Sequence, residues 1–161
     1  MLSNADEDIT HKSKSSFLNI IRELQFLSFK KQHFPNLTKC MYSLKEELIP
    51  NADYYVVGSD QVWNSAITGP LKKAFFLDFV GEDVQKISLS SSFGTIYWNE
   101  TEQFTNDVRI ALSQFKAVSV RESDGVDILK NVFAINGVQL LDPTLAYGKF
   151  DNLVRSISRK K

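Results

Sequence analysis

Apolar residues in this chain fall into short β-type runs alternating with helix-period stretches. Tyr54-Tyr55-Val56-Val57 is a run of β-branched and aromatic residues that stops on Gly58-Ser59-Asp60-Gln61. Such a run reads as a buried parallel strand, and Gly58 lets the backbone turn where ligands bind in open α/β sheets. The junction recurs three times. Lys86-Ile87-Ser88-Leu89-Ser90 runs into Ser91-Ser92-Phe93-Gly94, Ala117-Val118-Ser119-Val120 into Arg121-Glu122-Ser123-Asp124, and Val138-Gln139-Leu140-Leu141 into Asp142-Pro143-Thr144. From Ser16 to about Phe34, Phe17, Leu18, Ile20, Ile21, Leu24, Phe26, Leu27 and Phe29 recur at helical spacing over a wide arc, and Pro35 ends the helix. Ser43 to Leu48 predicts a short helix with Ser43 and Glu46 as a capping box. Asn99 to about Phe115 and Ser123 to Val132 predict two more helices, and Asn136-Gly137 is the turn before the last strand. Residues 1–14 are polar without a period, which predicts a disordered or frayed start. The alternation predicts an α/β fold over residues 15–161, a Rossmann-like parallel sheet with crossover helices in a doubly wound arrangement.

Composition narrows the function classes. With 161 residues and 43% hydrophobic side chains the chain is long and apolar enough for one domain with a core. Lys plus Arg and Asp plus Glu number 19 each, so no net field draws the whole chain to nucleic acid or anionic lipid. The one cysteine, Cys40, excludes an internal disulfide framework and any multi-cysteine metal site, and it reads as an ordinary thiol. The N-terminus lacks a basic-then-apolar signal and no apolar run approaches membrane-spanning length, which predicts a cytoplasmic protein, membrane-associated only through partners. No GxGxxG follows a predicted strand, so NAD and FAD are disfavoured and no cofactor is expected. His11 and His33 lack triad or ligand partners in sequence, so no metal is expected either.

Five motifs in register resemble the polysaccharide pyruvyl transferase family. They are GSDQVWN from Gly58 to Asn64, FFLDFV from Phe75 to Val80, KISLSSSFG from Lys86 to Gly94, SVRESDGVDILK from Ser119 to Lys130, and LDPTL from Leu141 to Leu145. The resemblance covers roughly residues 40–147. It implies one half of a glycosyltransferase-B-type bacterial enzyme that transfers a pyruvyl group from phosphoenolpyruvate, the donor substrate, to a saccharide or lipid-linked glycan acceptor as a ketal in surface-polysaccharide or exopolysaccharide biosynthesis. The family's opening strand with an asparagine-tyrosine-glycine loop is not found here, and its second half would follow Lys161. The chain is therefore expected to be a partial domain, inactive alone and prone to self-association through exposed core surface. Two alternatives stay open: a non-catalytic remnant or interaction module, and a nucleotide-sugar glycosyltransferase.

Given that resemblance, the strand-end loops supply the candidate site residues. Asp60 is a general base for a sugar hydroxyl, an acceptor that positions one by hydrogen bonds, or a helix or turn cap. Ser59 and Gln61 share its loop and can hydrogen-bond hydroxyls, whereas Trp63 reads as core. Ser90, Ser91, Ser92 and Gly94 form either a hydroxyl or anion cradle or a close-packed turn. Arg121 and Glu122 contact substrate or form a structural ion pair. Asp142-Pro143 reads as a turn-fixing pair, and Asp78 as a residue that caps or pairs within the fold.

Overall fold

A computed structural model describes residues 4–38, 49–151 and 155, with side-chain surroundings from residue 19 onward. Cys40, the Ser43 to Leu48 helix and the tail beyond Arg155 lie outside the described residues. The chain divides into two compact units, Met1–Tyr42 and Ser43–Lys161.

The first unit contributes one helix, α1 (Asn4–His33), which takes in the polar start as well as the apolar arc from Phe17. Ile20, Leu24, Phe26, Leu27 and Phe29 are exposed on it, and Lys30, Lys31 and His33 occupy the last turn, where positive charge complements the carbonyl end of a helix. No helix among the described residues is long and apolar enough to cross a membrane.

The second unit is an α/β sheet of four parallel strands in the order β1-β2-β3-β4: β1 (Tyr54–Val57), β2 (Gln85–Ser91), β3 (Phe115–Val120) and β4 (Val138–Gln139). The connections carry α2 (Ser65–Thr68) with a 3-10 turn over Gly69–Phe76, then α3 (Glu102–Ser113), then α4 (Ser123–Phe133), and α5 (Pro143–Tyr147) follows β4. Thr101 caps α3 by accepting from the Phe104 amide at 3.3 Å, so α3 starts later than its apolar pattern alone predicts. β4 has only two residues in its ladder, although the Leu140 amide still reaches the Val120 carbonyl at 2.9 Å.

Right-handed crossovers that step one way along a sheet place their helices on the same face. Burial follows that rule. Val57, Ser88, Val118 and Val120 are buried with Phe104, Val108, Leu112, Ile128, Leu129 and Phe133 from the helices, while Tyr54, Val56, Leu89 and Val138 are exposed. A doubly wound sheet needs a reversal of strand order, and these four strands contain none. The site lies at the carboxyl ends of these four strands.

An aromatic cluster anchors the loops to this core. Trp63 stacks on Phe76 with ring centroids 5.4 Å apart, Phe93 lies against Trp63 at 5.1 Å, and Trp98 stacks on Phe104 at 5.7 Å. The Trp63 indole N–H donates to the Phe75 carbonyl at 2.9 Å, which satisfies the polar end of a ring only 1% exposed. At the opposite, amino end of the sheet Lys86 is buried, its ammonium donating to Gln114 at 2.7 Å, and burial holds its pKa below the ordinary lysine value.

Candidate functional site

The carboxyl ends of the four strands converge, and glycine geometry makes the approach possible. Gly58 has φ +152°, and a Cβ there would sit 2.0 Å from the Leu89 carbonyl oxygen, so only glycine lets the loop after β1 lie this close to β2. Gly94, with φ +66°, plays the same part in the loop after β2: a Cβ would fall 2.3 Å from Gln61 Oε1 and 2.7 Å from Asn64 Nδ2. The Trp63 amide donates to the Ser92 carbonyl at 3.1 Å, fastening the two loops to each other.

Arg121, the first residue after β3, is the centre of the cluster. Its guanidinium lies 2.5 Å from Glu122 Oε1, 3.2 Å from Asp60 Oδ1 and 3.6 Å from Asp142 Oδ2. The hydrogen bond to Glu122 holds the Arg121 pKa above its ordinary value, with the Asp60 carboxylate adding to it. Two serines complete the ties: Ser59 Oγ donates to Asp142 Oδ2 at 2.8 Å, and Ser92 Oγ donates to Glu122 Oε1 at 2.9 Å. Asp142 also accepts from the Thr144 amide at 2.9 Å, and this bond, with that from Ser59, holds its carboxyl below the usual aspartate range. Three carboxylates surround one guanidinium, so the cluster carries an excess of negative charge and Arg121 offers no uncommitted cation.

The candidate residues separate into two sets. Ser59, Asp60, Ser92, Arg121 and Glu122 come together, and Asp60 is the outermost, with a side chain 83% exposed and Arg121 as its charged partner. Ser90 and Ser91 instead belong to the interior. Ser91 Oγ donates to the Val57 carbonyl at 3.1 Å, and Ser90 Oγ donates to the Leu141 carbonyl at 2.8 Å. Both are buried, so they brace strands rather than face solvent. Gln61 accepts from Asn64 Nδ2 at 2.7 Å and turns toward Gly94. Asp78 is exposed and makes no hydrogen bond or ion pair among the described residues, contrary to its expected capping role.

Two contributors escape the sequence reading. Asp142 links the first and third loops in addition to fixing its own turn, a link that neither the LDPTL motif nor its place before Pro143 signals. Ser119 is buried in β3, where its Oγ accepts from the Ser90 amide at 2.9 Å and donates to the Ser88 carbonyl at 2.7 Å. These bonds hold Ser90 at φ +50°, in the left-handed region that a non-glycine residue enters only when its surroundings fix it.

No curated protein and no solved structure matches the chain at a significant level. The family model described as polysaccharide pyruvyl transferase matches residues 4–160, well beyond the 40–147 block that carries the motifs. With nearly its whole length matched, the chain belongs to the polysaccharide pyruvyl transferase family.

Proposed function

We propose that the strand-end cluster is the acceptor side of a pyruvyl transfer from phosphoenolpyruvate to a saccharide, with Asp60 as the base that takes protons from the attacking hydroxyls. Protonation of the enol methylene makes C2 electrophilic, two sugar hydroxyls add to it in turn, and phosphate leaves. The product is a cyclic ketal of pyruvate; of the two hydroxyl protons, one balances the new methyl group and the other leaves with the phosphate as hydrogen phosphate. The reaction needs a base at the hydroxyls and cations at the phosphate and carboxylate.

The observation that carries this reading is the placement of Asp60. It is solvent-facing, at a strand terminus, and oriented by an arginine that Glu122 and Asp142 hold in place. A carboxylate-rich edge suits neutral hydroxyls and repels phosphoenolpyruvate, so the donor's anions call for cations other than Arg121. The test is Asp60→Asn in a preparation that releases phosphate from phosphoenolpyruvate only when saccharide is present. Turnover should fall by roughly 100-fold to 10,000-fold, the usual range for losing a general base, with the fold intact. Turnover within a few-fold of the parent would make Asp60 a turn residue and place the base elsewhere.

A further inference from the structure

Beside the cluster, the loops after β1 and β2 enclose a second recess of about 140 Å³ that the transfer chemistry does not use. Its walls include Asn64, Ser65, Tyr97, Trp98, Asn99 and Glu100. Pockets for drug-sized ligands run to about 300 Å³ and more, so this one is the size of a single ring. Tyr97, 63% exposed, leaves its amphipathic ring open to solvent at the recess. Neither the Tyr97 hydroxyl nor the Asn99 side chain has a hydrogen-bond partner among the described residues, whereas the Trp98 indole N–H is satisfied by Thr105 Oγ1 at 2.8 Å. The Trp98 ring is thereby fixed, packed on Phe104 and Phe133.

The charge at the rim is balanced. Lys72 Nζ lies 2.7 Å from Glu100 Oε2, and Ser65 Oγ bonds the other carboxylate oxygen. Burial pushes the Glu100 carboxyl up, but the bonds from Lys72 and Ser65 outweigh it and keep it below the usual glutamate range. With its cation already paired, the recess does not suit a phosphate. Aromatic side chains, a free amide and a fixed carboxylate together suit a neutral polyhydroxyl ring, which presents an apolar C–H face and hydroxyl edges. Its position is equally specific. Asn64 lines the recess and hydrogen-bonds Gln61, the residue after Asp60, so the two sites share one loop.

We propose that this recess is a saccharide subsite that seats a pyranose ring of the acceptor next to the ring presented to Asp60. Tyr97 and Trp98 meet its C–H face, and Asn99 and Glu100 meet its hydroxyls. The proposal rests on the acceptor reading of the strand-end edge, and its test is independent of turnover. The full chain is titrated with methyl β-D-glucopyranoside, methyl β-D-galactopyranoside and methyl β-D-mannopyranoside, followed by tryptophan fluorescence and saturation-transfer NMR. At least one should bind saturably, in about the millimolar range of a single-ring contact. Tyr97→Ala and Asn99→Ala, both on exposed side chains, should each raise its Kd roughly three- to tenfold, the factor expected for one hydrogen bond or ring contact, with the melting temperature unchanged. Two outcomes overturn the subsite: no saturable binding of any of the three by either method, or binding that both variants leave within about twofold of the parent. Neither bears on Asp60, whose role stands or falls with the transfer assay.

Discussion

Gly94→Ala probes the coupling of the two loops that frame both sites. The substitution has two separable costs. Placing a side chain at φ +66° costs about 1–2 kcal/mol, the penalty of an L-residue in the left-handed region. The new Cβ, 2.3 Å from Gln61 Oε1, must also drive that amide away and break its 2.7 Å hydrogen bond with Asn64, a net loss of about 0.5–1.5 kcal/mol. Together they come to about 1.5–3.5 kcal/mol. In a Gln61→Ala background the amide is gone, so its share of the cost disappears while the backbone cost stays. The Asn64 amide nitrogen, 2.7 Å from the new Cβ, is held because Asn64 Oδ1 caps the Ala66 amide, and that contact is common to both backgrounds and cancels. Urea denaturation of the parent, both single variants and the double variant closes the cycle, with an expected coupling of about 0.5–1.5 kcal/mol. Additivity within about 0.3 kcal/mol would refute the claim that Gly94 is required by the Gln61 side chain.

Ser119→Ala should cost about 1–3 kcal/mol, because it orphans the buried Ser90 amide, and a urea midpoint indistinguishable from the parent would contradict the bracing role given to Ser119. Asp142 has a folded pKa below its unfolded value, so its contribution is complete above the ordinary aspartate range and is lost as pH falls through the folded pKa. The stability gap between the parent and Asp142→Asn should therefore narrow below about pH 4 in denaturation curves taken across pH, and a gap independent of pH would remove Asp142 from the linkage. Tyr54, Val56, Leu89 and Val138 leave one sheet face apolar and exposed, as are Leu24 and Leu27 on α1, so the purified chain should form oligomers or bind a hydrophobic dye. A monodisperse, dye-silent monomer in sedimentation velocity would contradict that.

The strands and the two long crossover helices were legible because a buried parallel strand is a short apolar run, and an amphipathic helix repeats its apolar residues at a fixed spacing. Phe104, Val108, Ala111 and Leu112 marked the buried face of α3 this way. What no period encodes is which polar residue faces inward. Ser91 and Ser92 are chemically identical neighbours, yet Ser91 bonds the Val57 carbonyl while Ser92 reaches Glu122, a difference set by an irregular register between β2 and β3 around Ser88 to Ser91. The one-sided placement of helices was equally hidden, because it depends on strand order and not on the strands themselves. Arg121 could be read as either a ligand or a tie, and the position of Asp142, 21 residues further along the chain, decides its surroundings.

If this sheet edge takes the saccharide, as proposed, then with Arg121 shared among Asp60, Glu122 and Asp142 it has, among the described residues, too few cations to hold the donor. Titration calorimetry of the purified chain with phosphoenolpyruvate tests it most directly. Binding is expected in the millimolar range or weaker, corresponding to no more than about 4 kcal/mol. Micromolar binding of phosphoenolpyruvate would contradict it, showing that a donor-anion site is already built into this chain.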